Sequence, residues 1–202
     1  MDDMDRDQIV VLHNVTWEQY VALADARQSS QPRMAFLEGV LQLMTTGRSH
    51  EWMKTLIARL LEAFAEETEI RFDGFGNETA RDESKRAGLE PDECYFVGRV
   101  RREGSFPDLA IEIVYTSGGI DKLEIYRRLG VKEVWFWIDN TIAIHRLVRP
   151  RSGKPFYRQE STSHVLPGVD LDELARNVRG ADDQTATVRA YRRALQQRLR
   201  SR

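Results

Sequence analysis

The stretch FPDLAIEIVYTSGGIDKLEIYRRLGVKEVWFWI, residues 106–138, predicts a strand, a short helix and a second strand. An apolar run ends at the glycines of TSGG, and the helical pattern DKLEIYRRLG closes at Gly130. The run VKEVWFWID predicts the next strand. Two carboxylates, Asp108 and Glu112, stand inside the first strand, where an uncompensated charge is costly. A strand that buries these groups needs a partner for them.

The segments before this stretch predict two helices and a strand pair. Thr16 and Gln19 form a capping-box pattern at the start of a short helix. The run MAFLEGVLQLM, residues 34–44, predicts a strand pair or a bent strand. A long amphipathic helix follows, with Ser49 as its expected cap and Trp52 on its apolar face.

Further strands flank the central stretch. The runs PDECYFVGRV and FPDLAIEIV predict a hairpin that turns at RREGS, and TIAIHRLVR predicts a last strand after a turn at Asp139-Asn140. Helices therefore alternate with strand pairs along the chain. This order predicts an α/β fold of mixed α+β type, with a central mixed sheet flanked by helices.

The length and composition predict one domain with a small terminal addition. The chain has 202 residues, enough for one domain with a real core. We expect a single domain over residues 1–180 and a basic helical tail over residues 181–202, whose arginines surround a thin apolar line. The tail can be a solvated helix, a dimer contact or a nucleic-acid contact. A net charge of -2 gives no global signal for binding a polyanion, so any such contact must be local.

The single cysteine and the hydropathy pattern indicate a compartment. Cys94 has no intramolecular disulfide partner, and no zinc-type cysteine spacing occurs, which suits a reducing environment. The acidic N-terminus lacks the pattern of a secretory signal, and no apolar stretch approaches the ~20 residues that a membrane span requires. We therefore expect a cytoplasmic protein with no membrane partner.

Alternation along the central strand places Asp108 and Glu112 on one face. A divalent metal ion is an economical partner for two such carboxylates, and oxygen ligands favour Mg²⁺ or Mn²⁺ over zinc. The predicted hairpin brings Asp92 towards the same face, and one helical turn returns the ammonium of Lys122 towards the strand end. Three acids, one lysine and a metal ion suit phosphodiester hydrolysis.

A structural interpretation of the same residues stays open. Asp108 can cap the strand start, Glu112 can pair with an arginine, and Lys122 can lie on the surface, because two acids four residues apart are common in proteins.

Several separated segments together resemble the Uma2 family of bacterial endonucleases, a branch of the PD-(D/E)XK nuclease superfamily. They are LEGVLQLM, RSHE, EPDECYFV, PDLAIEIV and TSGGIDKLEIYRRLGVKEVWFW, and the resemblance extends from about Thr16 to Arg146. It implies a restriction-endonuclease-like fold with a metal-dependent nuclease site on its sheet.

The resemblance also implies roles for individual residues. Asp108 and Glu112 correspond to metal-binding acids, and Asp92 in EPDE corresponds to the acid of the adjoining strand. Val114 stands where the superfamily usually has a lysine, and Lys122 on the following helix would replace it. The catalytic assignment therefore depends on Lys122 lying near Glu112.

Three further residues match family positions with supporting roles. Glu38 precedes the glycine of the first strand pair, and His50 with Glu51 forms a recurrent pair at the start of the long helix. A lone histidine at a helix start is more often a cap or a core residue than a catalyst, and Glu51 can be an additional metal ligand or a favourable charge at the helix start.

These observations predict a metal-dependent DNA endonuclease that uses Mg²⁺ or Mn²⁺. The alternative is a catalytically silent protein of the same fold that binds nucleic acid or a protein partner. A homodimer through the last hairpin or the C-terminal helix is compatible with either function.

Overall fold

The computed structural model describes residues 7–113 and 119–201, and these form two β-sheets and five α-helices. The strands are Gln8–Leu12 (β1), Arg33–Leu37 (β2), Val40–Thr45 (β3), Phe72–Gly74 (β4), Ala80–Asp82 (β5), Ala87–Leu89 (β6), Glu93–Val97 (β7), Leu109–Ile113 (β8), Glu133–Ile138 (β9), Thr141–Val148 (β10) and Phe156–Glu160 (β11). The helices are Trp17–Ala26 (α1), Arg48–Glu67 (α2), Lys122–Leu129 (α3), Leu171–Arg179 (α4) and Gln184–Arg200 (α5).

The larger sheet has six strands in the order β11-β10-β9-β8-β7-β4. β8 and β9 run parallel, with Ile113 opposite Trp137, and the other neighbours are antiparallel. The parallel pair requires a crossover, which α3 supplies. The predicted hairpin of β7 and β8 and the predicted turn between β9 and β10 are both present, and the mixed sheet with its helices confirms the α+β fold class.

The smaller sheet is antiparallel and has five strands in the order β1-β3-β2-β6-β5. β2 and β3 are the strand pair that the sequence predicts around residues 34–44. β1, β5 and β6 were not predicted, because two of them are only three residues long and β1 lies in a polar context. The second sheet is therefore an addition to the predicted central sheet.

β8 lies between two hydrophobic layers. Leu109, Ile111 and Ile113 pack with α2, α4 and α5 in the largest cluster of buried residues. Ala110 faces the opposite side and packs with α3 and the smaller sheet. Alternation therefore turns Glu112 towards α3, the helix that begins with Lys122.

The ends of several helices agree with the sequence signals. The side chains of Thr16 and Gln19 form the predicted capping box of α1. Gly130 closes α3 with a φ of 83°, a conformation that glycine adopts without strain. The N-cap of α2 is Gly47, so Ser49 is wrong as a cap and lies one residue inside the helix.

The C-terminal helix α5 packs on α2. Its side chains Tyr191 and Leu195 are buried in the larger core, and Arg192 forms an ion pair with Glu66 of α2. One face of the basic helix therefore packs against the core. The predicted domain boundary near residue 180 stays a prediction. Within the described residues, every helix is too short or too polar to cross a membrane.

Candidate active site

Asp92 and Glu112 meet at the junction of β7 and β8. Asp92 directly precedes β7 and is fully buried, and its Oδ2 accepts a hydrogen bond of 2.6 Å from the backbone N–H of Ile113. Ile113 follows Glu112, whose side chain is also fully buried. The backbone hydrogen bond therefore fixes one carboxylate beside the residue that carries the other.

Helix α3 contacts both oxygens of Glu112. Lys122 Nζ lies 2.6 Å from Oε2, and the Tyr126 hydroxyl donates to Oε1. Lys122 and Tyr126 are four residues apart and share one face of the helix. The prediction that Lys122 lies near Glu112 is confirmed, and the tyrosine fixes the orientation of the same carboxylate.

A second layer of side chains surrounds Asp92. The guanidinium of Arg33 binds Asp92 Oδ1 and also lies 2.9 Å from Glu51. His50 Nε2 is 3.0 Å from the same Asp92 oxygen, and His50 Nδ1 is 2.8 Å from a carboxylate oxygen of Asp7. His50 thus lies buried between two acids and connects the start of α2 to the site.

Burial and charge shift the pKa values of these groups in opposite directions. Burial, together with the negative charge of Asp92, raises the pKa of Glu112 despite the opposing effect of Lys122. Burial would lower the pKa of Lys122, but the charges of Glu112 and Asp92 raise it above its usual value. Burial also opposes charge on Asp92, yet hydrogen bonding to His50 and nearby cations hold its pKa well below the usual range.

The two acids also affect the imidazole between them. Burial alone would lower the pKa of His50, but hydrogen bonds to Asp7 and Asp92 raise it to about 9. His50 is therefore a cation at neutral pH, and it offsets part of the negative charge that Asp92 brings into the core.

Asp108 lies at the other end of the strand, which corrects its predicted place beside Glu112. Four residues of strand separate the two Cα atoms by roughly 13 Å. Asp108 accepts from the backbone N–H of Val97 at 3.0 Å and from Arg99 Nε at 2.9 Å, and Lys132 Nζ lies 2.7 Å from it. Alternation along the strand predicted that the two acids share a face, but they lie at opposite ends of β8. Asp108 matches the structural alternative of a cap at the strand start, because it directly precedes β8 and its carboxylate accepts from a backbone N–H.

The remaining predicted residues do not contact Asp92 or Glu112 directly in the described structure. Glu38 is exposed in the turn between β2 and β3, where it pairs with Arg128, and it does not join the site. Glu51 reaches the site only through Arg33, and it also binds Thr46 and Lys54. Val114, at the expected lysine position, lies outside the described residues.

Three residues of the site were not assigned from the sequence. Arg33 begins a buried apolar strand, and a charged residue in such a strand indicates that it has an acidic partner. Tyr126 stands one helical turn after Lys122, which placed it on the same face. Asp7 gave no signal, because its partner His50 is 43 residues away.

The donor set suits a hard divalent cation. Asp92 and Glu112 present only oxygen atoms, which Mg²⁺ and Mn²⁺ prefer, and the raised pKa of Glu112 is the effect expected where an acid needs a cation. In the described parts of the chain, no set of three or more histidine, cysteine, aspartate and glutamate side chains is arranged to hold a metal ion. Mg²⁺ usually keeps several waters and binds through one or two carboxylates, so two protein ligands are sufficient.

Comparisons with known proteins concern the family and the fold. The family model Uma2, described as "Putative restriction endonuclease", matches residues 17–175. A crystal structure from Anabaena variabilis, described as a "putative nuclease belonging to DUF820", aligns with a TM-score of 0.53 and 14% identity, covering 86% of this chain and 99% of that one. That likeness shows a shared fold. Comparison with curated proteins gave no match. Since the family model covers most of the sequence, including Asp92, Glu112 and Lys122, the chain belongs to the Uma2 family.

Proposed function

We propose that this protein hydrolyses phosphodiester bonds of DNA in a reaction that depends on Mg²⁺ or Mn²⁺. The observation that carries the proposal is the convergence of Asp92, Glu112 and Lys122 from two strands and a helix. Membership in a family described as restriction endonucleases supports the same reaction class. Asp108 is not part of this proposal, because its carboxylate is paired with Arg99 and Lys132.

Asp92 and Glu112 would hold the metal ion. Such an ion lowers the pKa of a bound water and polarises a phosphoryl oxygen. Arg33 and His50 keep Asp92 ionised and in place, and Tyr126 fixes the orientation of Glu112. The two ligands are thus held by other side chains before any substrate arrives, which reduces the reorganisation that the reaction requires.

Lys122 acts in this proposal as a cation and hydrogen-bond donor. Its raised pKa keeps the ammonium charged at neutral pH, so a role as a general base is excluded for this state. An ammonium 2.6 Å from Glu112 can orient a nucleophilic water and offset negative charge on the phosphate as it develops. Its position on α3 replaces the lysine that the superfamily usually carries on the strand.

Nicking of supercoiled plasmid DNA with Mg²⁺ or Mn²⁺ tests the proposal. We expect wild type to nick, and Asp92→Asn, Glu112→Gln and Lys122→Met to lose at least a hundredfold, the range that electrostatic groups supply. Glu124→Gln is the matched control, because Glu124 lies on α3 and its carboxylate pairs, among the described residues, with Arg127 and Arg128. Equal nicking by all variants would refute the assignment.

A second candidate is a protein that binds nucleic acid, or another protein, without cleaving it. The observation that favours it is that each oxygen of Asp92 and Glu112 already has a protein partner. Folded wild type that binds DNA but never nicks, with either ion, would support this candidate. A homodimer and a cytoplasmic location stay predictions, and light scattering of the purified protein measures the first of them.

A further inference from the structure

A groove of about 430 Å³ lies beside the first turn of α2. Trp52 and Trp137 of β9 line it, together with Arg48, Arg179 and Asn140. This volume is within the range of pockets that bind small organic groups, roughly 300–1,000 Å³. The groove is therefore large enough for a nucleobase with its sugar.

Trp52 leaves part of its aromatic surface exposed. The helical pattern places Trp52 on the apolar face of α2, yet 36% of the residue is exposed, whereas Trp137 is 4% exposed. Trp52 therefore gives the groove an aromatic wall that is partly open to solvent. Such walls stack nucleobases in proteins that bind single strands.

The charges at the groove are entirely positive. No lining residue is acidic, although the chain has 32 acidic and 30 basic residues. The Arg179 guanidinium donates to the backbone oxygen of Asn140 at 2.8 Å, which fixes its direction without neutralising it. Arg48 is exposed and forms no ion pair with any described residue. The surroundings of the aromatic wall are thus complementary to a phosphodiester backbone.

The groove and the candidate active site lie at the same ends of α2, β8 and β9, although Trp137 and Glu112 are on opposite faces of the sheet. Trp137 is the register partner of Ile113, whose N–H binds Asp92, and neighbouring strands are about 4.8 Å apart. On the helical side, Trp52 directly follows Glu51, which reaches Asp92 through Arg33. A strand with a phosphate at the carboxylates would therefore reach Trp52 by passing around the start of α2 and the ends of β8 and β9.

We propose that this groove binds one unpaired nucleobase of the substrate strand, stacked on Trp52, with neighbouring phosphates contacted by Arg48 and Arg179. The inference rests on the proposed function and specifies it further, because it assigns a single-stranded or unpaired segment to the substrate. A fully paired duplex keeps its bases stacked inside the helix and cannot present one to the wall without extrusion.

Fluorescence anisotropy with a labelled single-stranded oligonucleotide of about 12 nucleotides tests this without chemistry. All variants carry Glu112→Gln and are measured without metal, so a wild-type protein that fails to cleave does not affect the readout. We expect Trp52→Ala to weaken binding by about five- to 150-fold, the range that one base stack supplies, and Trp52→Phe to weaken it much less. Arg48→Ala with Arg179→Ala should lower the slope of log K against log salt by about 1.4.

Phe156→Ala is the matched control, because Phe156 is an exposed aromatic residue on β11, 47% accessible, away from the groove. It should leave binding unchanged, and thermal melting should show that every variant is folded. Binding of the oligonucleotide by Trp52→Ala as tightly as by its parent would overturn the inference. So would an equal loss of affinity for the matching duplex, since Trp52 would then contact no unpaired base.

Discussion

Replacing Lys122 with methionine removes the cation beside Glu112 and keeps a side chain of similar length. The ammonium lies 2.6 Å from a glutamate that is fully buried, while the lysine side chain is 19% exposed. Breaking a buried ion pair costs about 3–5 kcal/mol, because it leaves one charge without compensation. Partial exposure of the lysine places the expected loss in the free energy of unfolding near the lower bound, about 3 kcal/mol.

The loss should depend on pH. Burial already raises the pKa of Glu112, and the variant removes the lysine that opposes this shift, so the pKa rises further. A carboxyl group with a folded-state pKa above its unfolded value binds more protons when folded, and its stability contribution falls as pH rises above the unfolded value of 4.5. The variant should therefore be close to wild type at about pH 4.5, and its loss of stability should be larger at about pH 8, well above that value.

Urea unfolding at both pH values measures this difference, and two further variants make it specific. Adding Glu112→Gln to Lys122→Met should recover most of the loss, because the buried charge is gone. Lys132→Met is the matched control: Lys132 pairs with Asp108 at 2.7 Å but is 61% exposed, so about 1 kcal/mol or less is expected. A loss that is equal at both pH values, or that the second substitution leaves unchanged, would refute this account of the site.

Three other predictions address the metal, the thiol and the far end of the strand. Mg²⁺ at 100 times its dissociation constant should stabilise wild type by about 2.7 kcal/mol and so raise its melting temperature, while the melting temperature of Glu112→Gln should not change. Calorimetry that gives equal shifts for the two proteins would contradict this. Cys94 is buried and burial raises the pKa of its thiol to about 12, so labelling by a disulfide reagent should follow unfolding in urea; rapid labelling of the native protein would be contrary evidence. Asp108→Asn should destabilise the protein but retain nicking within a few-fold of wild type, whereas a loss as large as that of Asp92→Asn would return Asp108 to the site.

Local signals explain what the sequence predicted correctly. The crossover helix α3 has Asp121 as its N-cap and Gly130 at its end, and both signals lie within the helix or next to it. The tight turn between β9 and β10 uses Asp139 and Asn140 with positive φ, which these residue types tolerate. Each feature depends on neighbours in sequence, so the pattern alone was sufficient.

The position of Asp92 beside Glu112, with Asp108 at the other end of the strand, depends on contacts between distant segments. Alternation gives the face of a side chain but carries no information on how far along the strand its partners lie. Asp92 meets Arg33 and His50 across 59 and 42 positions of sequence, through β2 and the start of α2. No local pattern specifies these pairings, and β1, which follows Asp7, was missed for the same reason.

The position of the lysine on a helix has a structural consequence for Glu112. A lysine two residues along the strand would offer one donor from the same backbone segment as the glutamate. Helix α3 instead offers an ammonium and a hydroxyl from one helical face, one to each carboxylate oxygen. The orientation of Glu112 therefore depends on how α3 packs against β8, through buried residues such as Ile125 and Ala110. Core packing beneath α3 and the charge balance of the site are thus coupled, since a shift of the helix moves both donors together.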